Sequence, residues 1–192
     1  MIKNISQIRS SLSLLLIFTV LLGGLYPAVI TVFAEVFFYK KATGSLIEKN
    51  GSAIASGSLL IGQNFTDNKY FWGRLSANNY DSNNSGGTNL SPSNPKLLEK
   101  ANVRIEALRK ADPKNSAKIP VELITASASG LDPHISRLAA EYQIGRIAKA
   151  RNITDIDLQQ LITDHINMQS KLFGNPFVNV LELNIALDEI QK

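Results

Sequence analysis

The sequence predicts an α+β soluble domain anchored by a single N-terminal transmembrane helix, and three observations lead there. From Ser10 to Ala34 the chain runs 25 residues without a charge, enough at ~1.5 Å per residue to cross a ~30 Å hydrocarbon core with some tilt. Beyond residue 41, short apolar runs bracketed by glycine read as strands and turns. From Asn94 onward the punctuation becomes that of helices, with Asn-Pro, Asp-Pro and Thr-x-x-Asp starts. The division that follows is a tail at 1–11, a transmembrane helix at 12–34 and one soluble α+β domain at 35–192, with a long polar loop at 76–95.

The apolar segment continues through Gly23-Gly24-Leu25-Tyr26-Pro27 to Phe33 without a small-x-small cleavage site, so it is expected to stay on the chain rather than leave as a signal peptide, whose apolar core is roughly 7–15 residues long. A bilayer tolerates Gly23, Gly24 and Pro27, and small residues suit close packing against partner helices. Phe37-Phe38-Tyr39 beside Lys40-Lys41 reads as an interfacial anchor. The flanks carry two basic residues on each side. The free N-terminal amine tips the balance toward an N-terminus inside and a body outside the cytoplasm.

The body begins with strand-like runs at 44–47 and 57–62, with Asn50-Gly51 as a tight turn between them. Phe65, Tyr70, Phe71 and Trp72 follow within eight residues; they either fill the core beside the strands or form a partner-binding patch. In 76–95, 15 of 20 residues are Asn, Ser, Gly or Pro, a composition that makes this a polar loop lying on something, since structureless loops of ~20 residues are uncommon in compact domains. Asn94-Pro95 opens a helix with Leu98, Ala101, Ile105 and Leu108 on one stripe, closed by Asp112-Pro113. Val121 to Thr125 is strand-like. Asp132 as N-cap and Pro133 at the first helical position then start a helix that runs to about Arg151. Another begins at Thr154, with Asp157 in a capping-box position and Ile153 stapling onto Leu158. Asn179 with Glu182 caps a last helix carrying Val180, Leu183, Leu187 and Ile190, with Val178 stapling onto Leu183.

Composition excludes several chemistries. With no cysteine there is no disulfide, thiolate nucleophile or Cys-ligated metal. His165 stands with Asp164 but with no metal-ligand spacing around it, so no metal is expected. Of the formal net charge of +4, +3 flanks the apolar segment and +1 is left for residues 42–192, which argues against nucleic acid as a partner. The Ser127-Ala128-Ser129-Gly130 turn before Asp132 could present N–H groups to a phosphate or carboxylate. Its serines, with Asp132 and His134, also raise a membrane-anchored serine hydrolase, although no G-x-S-x-G is present. A ligand-binding module unrelated to pumps is the other reading left open by the residues. Bottom-up, no catalytic centre emerges.

Five blocks in order are less generic. Gly57-Ser-Leu-Leu-Ile-Gly-Gln-Asn-Phe-Thr-Asp-Asn-Lys-Tyr-Phe-Trp-Gly-Arg74, Ser85-Gly-Gly-Thr-Asn-Leu90, Pro120-Val-Glu-Leu-Ile-Thr-Ala-Ser-Ala-Ser-Gly-Leu-Asp132, Arg146-Ile-Ala-Lys-Ala-Arg151 and Val178-Asn-Val-Leu-Glu-Leu-Asn-Ile-Ala-Leu-Asp188 follow one apolar helix containing Gly-Gly-x-Tyr-Pro. Together they resemble the C subunit family of the bacterial Kdp potassium-transporting ATPase, over about residues 12–190. Leu75 and Gly145 stand where the family usually has proline, and the polar loop is shortened ahead of Ser85.

The resemblance implies a non-enzymatic accessory subunit of the bacterial inner membrane. Its implied partners are a potassium-conducting A subunit, an ATP-hydrolysing B subunit and a small F subunit, besides the lipid bilayer. It further implies a catalytic chaperone that raises the B subunit's affinity for ATP. Gln143 matches the family's glutamine proposed to touch the nucleotide ribose, and Ser127, Ser129 and Gly130 could belong to the same ATP site. An ATP contact needs the body in the cytoplasm, whereas the charge flanks place it outside. No Walker-type Lys and Ser/Thr pair is present, so assembly carries the expectation, with the aromatic segment and the polar loop as docking surfaces.

Overall fold

The computed structural model describes residues 2–47, 57–166 and 175–190. They fall into two compact units, Met1–Leu46 and Ile47–Lys192.

In the first unit α1 (Ile2–Val20) and α2 (Tyr26–Ala42) are joined without a break by a wide π turn at Leu21–Leu25. The turn holds both glycines, and the Tyr26 amide reaches five residues back to the Leu21 carbonyl. Pro27 sits in the first turn of α2, where its missing N–H costs least. The Ile5–Ala42 stretch is long and apolar enough to cross a membrane, with none of its apolar window buried in the protein. Helical geometry lapses at Phe38, and the helix ends with Gly44 and Ser45 at positive φ, where the Ser45 N–H donates back to the Lys40 carbonyl.

The second unit is a mixed body of short helices and short strands. Strand β1 (Leu46–Ile47) falls where the two units meet in sequence, and it and β2 (Gly57–Ser58) are much shorter than the runs the sequence suggests. The Asn50-Gly51 turn lies outside the described residues. Helix α3 (Pro95–Ala111) starts as expected, with the Asn94 side chain accepting from the Lys96 N–H. Its stripe is only half used: Leu108 is buried but Leu98 is 66% exposed, so α3 is held mainly at its C-terminal end.

Two expectations are corrected beyond α3. Residues Val121–Leu123 form one 3-10 turn, not a strand; the extended chain is limited to a single parallel bridge between Leu75 and Ala126. No helix starts at Asp132. His134–Ser136 forms β3, antiparallel to β4 (Phe177–Asn179), with His134 opposite Asn179 and Ser136 opposite Phe177. The Asp132 carboxylate accepts the His134 N–H two residues on and pairs with Arg74 instead of capping a helix. Ser136 is the true N-cap, its hydroxyl accepting from the Ala139 N–H while hydrogen-bonding the Glu122 carboxylate. The helix it opens, α4 (Arg137–Glu141), is interrupted at Tyr142 and Gln143 and resumes as α5 (Ile144–Arg151).

The remaining elements follow the sequence. Asn152 ends α5 in the left-handed region, a conformation asparagine tolerates. Thr154 caps α6 (Asp155–Asp164) by accepting the Asp157 N–H, and Ile153 packs on the core with Leu158. Asn179 caps α7 (Val180–Ile190) by accepting from Leu181 and Glu182, and Val178 and Leu183 are both fully buried. One core gathers Phe71, Trp72, Ile135, Ile147, Leu158, Ile162, Val178, Leu183 and Leu187, with α6 packed on α4, α5 and α7. Tyr70, Leu181 and Ile185 make a smaller cluster beside it.

Candidate functional site

The segment 67–75 has almost no regular secondary structure, so its backbone groups need partners from elsewhere. Side chains supply them. The Asn184 amide accepts from the Phe71 N–H at 2.8 Å and donates to the Phe71 carbonyl at 3.0 Å. One residue on, Gln143 does the same for Trp72, accepting at 2.8 Å and donating at 3.1 Å. Two side-chain amides thus act as a one-residue ladder each, like a neighbouring strand. Gln143 can reach because the α4–α5 interruption turns it into the core, where it is 1% exposed.

Arginines close the clamp. Arg146 donates to the carbonyls of Asn68 and Tyr70 and to Gln143 Oε1, and lies 4.3 Å from the centre of the Trp72 ring. Arg104 lies 4.9 Å from the same ring and donates to Leu123 and Gly73 carbonyls. Arg151 donates to the Lys69 carbonyl, pairs with Asp188 at 2.6 Å and stacks over Tyr70. Burial, with Arg104 as a like charge nearby, pulls the Arg146 guanidinium down to about 10. Burial likewise lowers Arg104 and raises the Tyr70 phenol, the latter with help from its hydrogen bond to Asp188.

The aromatic segment is therefore core, not a docking surface: Tyr70, Phe71 and Trp72 are all buried. The polar loop lies on its own domain. Gly86 N–H and the Ser85 hydroxyl both donate to the Ser129 carbonyl, at 2.8 and 3.1 Å, and Ser127 N–H donates to the Leu75 carbonyl. Gly130 has φ +69°, and a Cβ there would stand 2.7 Å from the Gly86 carbonyl oxygen, so no side chain fits.

The four residues expected at a nucleotide therefore fall into two different settings. Ser127, Ser129 and Gly130 form the seat of the polar loop; Ser127 is buried, and the Ser129 hydroxyl accepts the Leu131 N–H. Gln143 belongs to the clamp. Its amide oxygen is taken by Trp72 and Arg146, and its nitrogen donates to the Trp72 and Ala139 carbonyls, which fills the capacity of that side chain.

The hydrolase geometry is not assembled. No serine hydroxyl is hydrogen-bonded to His134 among the described residues; the His134 ring instead meets Phe177 edge-on at 4.6 Å, with its Nδ1 3.5 Å from Asp132. Burial would push the Asp132 carboxyl up, but hydrogen bonds from His134 and Arg74 outweigh it and hold the group below its ordinary value. Among the described residues no cluster of three or more His, Asp or Glu side chains could hold a metal ion.

The family model described as K+-transporting ATPase, c chain, matches residues 8–189. The chain belongs to this family. The potassium-transporting ATPase KdpC subunit of Dechloromonas aromatica is 49% identical over 189 residues, covering 96% of this chain and 98% of that one. Those of Herpetosiphon aurantiacus and Polynucleobacter asymbioticus are 50% and 51% identical over 187 residues, covering 95% of this chain and 96% and 98% of theirs. Membership makes the chain an accessory subunit of a potassium-transporting ATPase, not its catalytic one, and associates it with a membrane. The clamp residues Asn184, Arg104 and Asp188 were missed as a group from sequence, because no spacing links partners 19 to 118 residues apart; only the density of matched motif around Trp72, Arg146 and Asp188 marked the places.

Proposed function

We propose that this chain crosses the bacterial inner membrane once, through its Ile5–Ala42 stretch, with its body on the extracytoplasmic side. There it assists assembly of a potassium-uptake complex with a potassium-conducting A subunit, an ATP-hydrolysing B subunit and a small F subunit, and raises the B subunit's affinity for ATP. The observation that carries this reading is the family match over residues 8–189. An extracytoplasmic body acts on ATP affinity through the assembled complex. Direct contact by Gln143 would require its amide to leave the Trp72 backbone.

The test is retrieval of a C-terminally tagged chain from potassium-starved membranes in mild detergent. Potassium-stimulated ATP hydrolysis arriving with two larger membrane proteins supports the reading, and a lone inactive chain refutes it. Labelling of Lys110 or Lys118 by a membrane-impermeant reagent in spheroplasts with intact membranes tests the side; labelling only after lysis places the body in the cytoplasm and reopens nucleotide contact.

A further inference from the structure

Three of the body's arginines are neutralised by carboxylates: Arg74 by Asp132, Arg137 by Glu141 and Arg151 by Asp188. Arg146 is not. It is 4% exposed, and among the described residues no carboxylate lies within ion-pair distance of it. Its hydrogen bonds go to carbonyl and amide oxygens, and Asp112 and Asp67 act on its charge only from beyond ion-pair distance, an arrangement uncommon for a buried guanidinium.

One wall of Arg146 faces a surface cavity of about 500 Å³ between the end of α3 and α5, lined by Asn68, Asp112, Lys114, Asn115, Arg146 and Lys149. Neither Lys114 nor Lys149 has an ion-pair partner among the described residues, so three cations share the cavity with one carboxylate.

We infer that this cavity is a docking site for an acidic side chain of a partner subunit, received by Lys114 and Lys149 over the buried Arg146. The inference rests on the accessory-subunit reading. A carboxylate carried by a partner fits better than a free anion. The cavity is lined by two ammonium groups beside the guanidinium; a small ion held there would have to offset its lost freedom alone, whereas a docked chain spreads that cost over a whole interface. Charge pairs at such a rim fix orientation and make association salt-dependent.

The experiment compares wild type with the double charge reversal Lys114→Glu with Lys149→Glu, and with the neutral pair Lys114→Gln with Lys149→Gln, each as the tagged full chain retrieved from native membranes. Both lysines line an open surface, and Trp72 emission checks that the clamp beneath is intact. The expected result is about tenfold lower recovery of potassium-stimulated ATPase for the reversal, corresponding to two pairs at ~0.7 kcal/mol each. The neutral pair should fall between, and its recovery should be less salt-dependent than that of wild type. Unchanged recovery of both variants at every ionic strength overturns the inference while wild-type recovery still upholds the subunit reading. A lone wild-type chain overturns that reading instead, and this inference with it. If inorganic phosphate stabilises wild type but not the neutral pair, while recovery is equal, the site takes a free anion and the docking inference is overturned.

Discussion

Gln143→Ala should cost the body much of its stability, and the structure lets the loss be worked out. The substitution removes an amide that is 1% exposed and strips the Trp72 N–H and C=O of the partners they have at 2.8 and 3.1 Å. Each buried backbone group left unpaired costs ~1–3 kcal/mol, so the pair costs about 2–6 kcal/mol. That is a large part of the ~5–15 kcal/mol by which domains are stable. The assay is urea unfolding of the purified chain followed by tryptophan emission, since Trp72 is the only tryptophan and sits inside the clamp. If Gln143→Ala shifts stability by less than about 1 kcal/mol with no change in the native Trp72 spectrum, the side chain is not a backbone clamp and the reasoning fails. A raised Michaelis constant for ATP at unchanged stability would instead point to direct nucleotide contact.

Other expectations follow from the same geometry. Asp132 is held below its ordinary value of 3.8, so its contribution is present above that value and is lost as pH falls through the lower folded value; in acid melts Asp132→Asn should therefore narrow its deficit against wild type as pH drops below ~4. An unchanged gap at all pH values would contradict the ion pair. Gly130→Ala places a methyl against the Gly86 carbonyl at positive φ and should release the polar loop at a cost of ~1–3 kcal/mol, seen as faster limited proteolysis within 76–95; unaltered cleavage would count against the seat. Ser136→Ala should lose ~1 kcal/mol as the N-cap of α4, with melting temperature as the readout, and a neutral result would move the cap elsewhere. Deleting 78–84 removes a turn closed on itself by the Asn78 side chain and the Asn84 carbonyl, and on the docking expectation it should weaken recovery of the complex.

The helical half of the fold was legible because its signals are local. Asn94, Thr154 and Asn179 each cap the helix their position announces, and the apolar run at the N-terminus is helical from Ile2 to Ala42. Asp132-Pro133 misled because the same two residues serve an extended turn equally well. Arg74, 58 residues away, decides between the two by taking the carboxylate. The aromatic cluster posed a similar ambiguity, since nothing local distinguishes a ring that binds from a ring that fills the core. Gln143 was visible through family resemblance, but its surroundings were not: a glutamine becomes a backbone partner only when the chain 71 residues upstream is laid against it.

The clamp also bears on the order in which the body can form. Phe71 waits for Asn184, 113 residues later, and the Lys69 carbonyl waits for Arg151, itself balanced by Asp188. Contacts of such sequence separation form late and slowly, because a long loop must close before they reward it. A growing chain halted before α7 would hold a complete apolar helix but leave the Phe71 backbone bare and Tyr70 uncovered. On the proposed topology the helix would be committed to the bilayer well before the body is sealed, and the interval between the two events is when an unsealed body would be most open to proteases.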